Sequence, residues 1–249
     1  MLLIKFVKQN RYHKHMHNFD IKNILNNIRL RFNTTTAILV CSCIFIWILE
    51  MVLNFAYPNY YLTLISYTAF LPITALQTPW TWFTSLFIHA PNLTHIFFNM
   101  LCLWSLGVEL ERFFGKWKFF GLYLISGFGG SVADIVWCKL TNNWFVASYG
   151  ASGAIMGLIG ALLVAQWRLG ENMRGTIIWI AITLAMPIIV PKIAWQAHVG
   201  GLVSGTAIAA LLGVQNPLLK KASFNTRFLV YFVSLFAILT ACAMFCLKA

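Results

Sequence analysis

At 249 residues, 60% hydrophobic and only 10% charged, with a mean hydropathy of +0.76, the chain lies outside the class of soluble domains, in which about a quarter of residues are charged. The net charge of +12 comes without a soluble basic face carrying base-reading side chains, which excludes a nucleic-acid partner. Six cysteines without a C-x-x-C pair, in or beside apolar runs, exclude a disulfide or zinc framework, and no cofactor or metal is expected.

Residues 1-35 form a basic stretch that reads as a cytosolic tail. Within it His13, His15 and His17 cluster as a metal site would require, although a solvated tail accounts for them. Phe19, Ile24, Leu25, Ile28 and Phe32 recur at near-helical spacing and suit a segment lying on the inner membrane surface. No cleavable signal peptide is expected, because the first apolar run follows this polar stretch and is long enough to remain as an anchor. Runs approaching the roughly 20 residues needed to cross hydrocarbon fall near 36-55, 94-110, 117-137, 151-168, 175-190, 196-213 and 228-247. The fold class is therefore an all-α polytopic membrane protein.

Between the first two runs, residues 56-92 lack Lys and Arg but hold Trp80, Trp82, Phe83 and Phe87. Aromatic side chains concentrate at membrane interfaces, so this loop is expected to be a structured element that partly dips into the interface. The fifth run is short and carries Pro187, with Pro191 just beyond, which predicts local distortion. Cytoplasmic loops collect basic residues. With the N-terminus inside, only Lys139, Lys192 and Lys248 of the 18 basic residues fall on the outer side.

That topology places His95, Ser152 and His198 each at the outer start of a span that runs inward, with Asn99 one turn below His95 on the same face. Ionisable groups at membrane depth are costly and are functional candidates by default. A serine becomes nucleophilic when an imidazole within about 2.6 to 3.2 Å takes its proton, and His198 can do so for Ser152. Attack on a carbonyl produces an oxyanion, which needs preorganised donors. His95, Asn99 and the Ser152 N–H can supply them, and Gly150 permits a tight turn and close approach of substrate backbone. Asp134 is available as a third triad member, but a Ser152/His198 dyad is the preferred arrangement. Gly153, Gly157, Ala161 and Ala165 in the fourth run, and Ala197, Gly201, Gly205, Ala209 and Gly213 in the sixth, form stripes of small residues. Such stripes mark close helix packing.

His95 to Asn99 (H-x-x-x-N), Gly150 to Gly153 (G-x-S-G), Ala197 to Gly205 (A-H-x-x-G-x-x-x-G) and Gly107, Glu111 and Gly115 (G-x-x-x-E-x-x-x-G) occur together. In order and spacing, over roughly residues 80-213, the chain resembles a rhomboid intramembrane serine protease. The resemblance implies a six-helix core with one added C-terminal span (6+1), residues 36-213 and 214-249 respectively. It implies Ser152 as nucleophile, His198 as general base and acid, and an oxyanion site from His95, Asn99, Gly150 and Ser152. It further implies a water-filled cavity open to the outer face, entry of substrate past the fifth span, and transmembrane segments of other proteins as substrates. The 6+1 arrangement is similar to bacterial or secretory-pathway members, with a bacterial inner membrane preferred. The alternative is a catalytically weak or silent relative that binds transmembrane clients.

Two positions depart from the family pattern. Trp80-Thr81 stands where many members have Trp-Arg, so the loop must be fixed by other means. Met156 stands where Tyr or Phe is frequent four positions after the nucleophile, and its thioether can pack softly against an imidazole. Glu111, between Gly107 and Gly115, reads as a structural polar contact at the inner end of the second span.

Overall fold

A computed structural model describes residues 34–189, 194–214 and 216–248. The His13, His15 and His17 cluster, the Phe19 to Phe32 pattern and Pro191 lie outside the described residues. The described chain contains helices and a single isolated antiparallel bridge, Phe70 with Ser148, and no strand. Helices run Thr35–Ala56 (α1), Pro58–Thr68 (α2), Thr81–Thr84 (α3), Leu93–Phe114 (α4), Lys116–Thr141 (α5), Ser152–Leu169 (α6), Arg174–Ile189 (α7), Trp195–Gly213 (α8) and Phe224–Lys248 (α9).

Six of these, α1, α4, α5, α6, α8 and α9, are long and apolar enough to cross a bilayer, and the molecule is an integral multi-pass membrane protein. The fifth expected span is α7, whose 16 residues at a rise of about 1.5 Å each reach about 24 Å, short of the ~30 Å hydrocarbon core. Helix α7 continues past Pro187 to Ile189.

The centre of the bundle is α5 packed with α6 and α8, where Phe119, Leu122, Tyr123, Leu158, Ile159 and Ile208 are fully buried. Between helices in lipid the apolar effect supplies little drive, so close packing has to. The two stripes of small residues meet face to face. A Cβ added at Gly201 or Gly205 would collide with the carbonyl oxygens of Gly153 and Gly157, and one at Gly157 would lie 2.7 Å from Gly201 O. Helix α5 joins the same seam, since a Cβ at Gly130 would stand 2.9 Å from Ala197 O and one at Gly200 would meet Gly129 O. Helix α9 packs on α5 and α8, with Arg227 donating to Leu212 O and Val214 O at 2.7 Å each and so capping the end of α8.

Glu111 is a structural contact, as expected. Its carboxylate accepts from Thr35 N–H (2.7 Å), Thr36 N–H (2.8 Å) and Thr36 Oγ1 (2.8 Å). An acceptor anion at the start of α1 satisfies N–H groups that have no intrahelical partner and lies at the positive end of the helix dipole.

The loop between α1 and α4 is ordered throughout by local bonds. Trp80 Nε1 donates to Tyr67 O (2.7 Å), Trp82 Nε1 to Ala75 O (2.9 Å), Thr84 Oγ1 to Thr68 O (2.9 Å), and Thr81 Oγ1 to Thr78 O (2.7 Å). Trp82 also packs on Phe70 and Phe128, with ring centroids 4.9 Å apart in each pair. These bonds and the ring packing fix the loop around Thr81. Helix α2 leaves Tyr60 and Tyr67 exposed, and tyrosines concentrate at membrane interfaces.

Candidate active site

Helices α6 and α8 start at one end of the bundle, and their glycine seam brings the first turns together. There Ser152 Oγ and His198 Nε2 stand 2.8 Å apart. Each side chain belongs to a different helix, 46 residues apart in sequence, so the contact depends on the seam behind it. His198 is buried and Ser152 half-buried. A pair held at this distance is arranged for proton transfer from hydroxyl to imidazole.

Ahead of Ser152 the chain bends sharply. Gly150 has φ +118, a conformation that favours glycine, and its N–H donates to Ser85 O at 2.8 Å. That donor is therefore engaged within the protein, and what Gly150 gives this corner is its turn and the room it leaves. A Cβ there would lie 3.2 Å from His95 Cε1, 3.4 Å from His95 Nε2 and 3.9 Å from Ser152 Oγ. The His95 ring and the serine hydroxyl thus border one small space.

The tautomer of His95 follows from its neighbours. Ala90 N–H donates to His95 Nδ1 at 3.3 Å, so that nitrogen accepts, and a neutral imidazole then carries its proton on Nε2. The donor points to the side where Gly150 and Ser152 stand. Asn99 is buried and gives one amide hydrogen to His95 O at 2.8 Å, which leaves its second N–H for a ligand. Ser152, at the first position of α6, has a backbone N–H without an intrahelical acceptor.

His89, in the loop ahead of α4, makes several structural hydrogen bonds. Its Nδ1 lies 3.2 Å from Phe87 O, and its Nε2 accepts from Ala151 N–H at 3.4 Å. Burial, then the neighbouring His95, pushes its imidazole down to about 3 from the usual 6.5, so His89 is neutral and able to accept. Its ring centroid is 5.5 Å from that of His95.

Asp134 is engaged elsewhere than at the dyad. Its Oδ2 accepts from Ser148 Oγ at 2.6 Å, and Ser148 in turn exchanges backbone bonds with Phe70 (3.0 and 2.8 Å). This arrangement ties the segment ahead of Gly150 to the bundle and the aromatic loop. His198 Nδ1 is buried with no hydrogen-bond partner among the described residues. Met156 is buried in α6. The roles of His89, Ser148 and Glu50, which is buried near the end of α1, carry no local sequence signature. Their partners are 14 to 78 residues away in sequence or on backbone atoms. An acid in an otherwise apolar span was the one available signal for Glu50.

Among the described residues no group of three or more His, Cys, Asp or Glu side chains is placed to hold a metal.

The family model described as "Rhomboid domain" matches residues 76–215, more than half of the chain. Among curated proteins, the chain is 36% identical over 155 residues to Rhomboid protease GluP of Bacillus subtilis (strain 168), covering 60% of this chain and 28% of that protein. It is 39% identical over 133 residues to RHOMBOID-like protein 1 of Arabidopsis thaliana, covering 51% and 32%. It is 30% identical over 155 residues to Rhomboid protease AarA of Providencia stuartii, covering 52% and 54%. The chain thus spans between about a quarter and a half of the length of these relatives.

Proposed function

The chain belongs to the rhomboid family, and from that premise we propose that it is an intramembrane serine endopeptidase cutting transmembrane segments of other membrane proteins. The observation that carries the reading is the 2.8 Å separation of Ser152 Oγ and His198 Nε2. Ser152 Oγ attacks the carbonyl carbon of the scissile peptide while its proton passes to His198 Nε2. The tetrahedral oxyanion is stabilised by the N–H groups of His95 Nε2, Asn99 and the Ser152 backbone, as preorganised donors do for acyl transfer. The intermediate collapses, the C–N bond breaks, and His198 delivers its proton to the departing amine. Water then gives a proton to His198 as its oxygen attacks the acyl carbon, and Ser152 regains its hydrogen when it leaves.

A dyad is the favoured arrangement, because Asp134 is bonded to Ser148. The basic residues favour an N-terminus in the cytoplasm, which puts the starts of α4, α6 and α8 and hence the site toward the outer face. Residues 36-213 form the catalytic core, preceded by the tail 1-35 and followed by the linker and seventh span 214-249. A bacterial inner membrane fits the six-plus-one arrangement. The lipid bilayer and transmembrane clients are the partners. Substrate passes α7, the shortest of the bundle helices.

A fluorophosphonate tests the dyad without a natural substrate. The purified protein forms one covalent adduct, mapped by mass spectrometry to Ser152, and His198→Ala abolishes it. Modification elsewhere, or an undiminished adduct in His198→Ala, would overturn the reading.

A further inference from the structure

Glu50, near the end of α1, is fully buried, and no step of the proposed reaction uses it. Its Oε2 accepts from His89 N–H at 3.1 Å. Trp47, three residues earlier and so on the same helix face, donates from Nε1 to Ala90 O at 3.1 Å. Helix α1 thereby grips two consecutive residues of the loop, one through its N–H and the next through its C=O.

The gripped corner touches both halves of the site. His89 Nε2 accepts from Ala151 N–H at 3.4 Å, immediately ahead of the nucleophile. Ala90 N–H donates to His95 Nδ1 at 3.3 Å. Glu50 Oε1 is buried with no hydrogen-bond partner among the described residues. A buried acid in an apolar span is costly, and a leucine would fill the place at lower cost if only packing mattered.

We propose that Glu50 and Trp47 are positioning residues that clamp the 89–90 corner, so that the first span sets the tautomer of His95 and the seat of the nucleophile loop. The proposal rests on the protease reading for its effect on rate. While the corner is held, Ala90 N–H occupies His95 Nδ1 and the ring proton stays on Nε2, facing the space beside Gly150 and Ser152. Once the corner is released, the proton can move to Nδ1. A bare Nε2 then offers a lone pair to a developing oxyanion where a donor is needed.

The test compares the full-length parent with Glu50→Gln, Glu50→Leu and Trp47→Phe in detergent. Glutamine keeps an acceptor for His89 N–H, leucine removes it, and phenylalanine removes only the indole donor. In Glu50→Leu and Trp47→Phe, kcat on a single-pass substrate falls about tenfold or more while KM changes less than about twofold, as loss of a transition-state donor requires. Glu50→Gln stays within about threefold of the parent. Thermal midpoints of all four proteins identify any loss that merely follows unfolding.

Histidine ¹⁵N spectra read the clamp without any cleavage. His95 shows the Nε2–H tautomer in the parent and in Glu50→Gln, and a mixture of tautomers in Glu50→Leu and Trp47→Phe. The proposal is overturned if the latter two keep the His95 signature of the parent, or if Glu50→Gln loses it as Glu50→Leu does. If the parent cuts no substrate while Glu50→Leu and Trp47→Phe still show mixed tautomers, the protease reading falls and the clamp stands.

Discussion

Replacing Gly201 by alanine should disable the site from behind, without touching a reacting atom. The new Cβ would collide with Gly153 O and stand 2.7 Å from Gly153 C and 3.3 Å from Gly153 Cα. All three are backbone atoms, so no side-chain rotation relieves the clash, and ordinary contact begins at 3.4 Å. Helices α6 and α8 must separate by roughly 1 Å at a point next to Ser152 and one turn from His198, an overpacking that costs about 1–3 kcal/mol. The same displacement takes the 2.8 Å contact of the dyad beyond the ~3.2 Å limit of a good hydrogen bond. Misplacement on the order of 1 Å lowers rates about 100-fold. Gly175→Ala is the control, since a Cβ there meets nothing within 4 Å. Cleavage of a single-pass substrate in liposomes, with thermal midpoints in detergent, should show Gly201→Ala folded but slowed roughly 100-fold and Gly175→Ala unchanged. Parental activity in Gly201→Ala, or an equal loss in Gly175→Ala, would refute the coupling of seam to dyad.

His95→Ala removes one oxyanion donor and should lower kcat about 10²- to 10³-fold, with little change in thermal midpoint; an unchanged kcat would remove His95 from the site. His89 supplies a pH-dependent prediction. Its value in the folded protein, about 3, lies below the ordinary 6.5, so its neutral form stabilises the fold fully above pH 6.5, and that contribution declines as the pH falls from 6.5 toward 3. The gap in thermal midpoint between the parent and His89→Gln should therefore narrow from pH 7 to pH 4, and a constant gap would contradict the assignment.

Much of the fold was legible because lipid imposes a simple rule, that each crossing must be a long apolar helix. The run near 151-168 begins within one residue of α6, and that near 117-137 lies inside α5. The stripes of small residues foretold the α6 and α8 seam for the same reason, since only small side chains allow backbones so close. Gly129, Gly130 and Gly200 of the α5 and α8 contact follow no four-residue repeat and were not singled out. At the site, Ser152 and His198 stood out because a histidine is unusual in an apolar helix. The parts that orient them did not. Ala90 N–H on His95, Ala151 N–H on His89 and Gly150 N–H on Ser85 are backbone donors, which every residue except proline possesses, so no residue type announces them. Gly150 illustrates the difference. Its identity signals a tight turn, which its φ of +118 displays, whereas the bond from its N–H to Ser85 O depends on a partner 65 residues away that no local pattern marks.

The central claim is that the hydroxyl of Ser152 and the imidazole of His198 act together on a peptide bond. Purified protein in liposomes, given a single-pass membrane substrate, tests it against Ser152→Ala and His198→Ala. The account predicts one cleavage product with the parent and none with either variant. Cleavage by Ser152→Ala at the parental rate would contradict it.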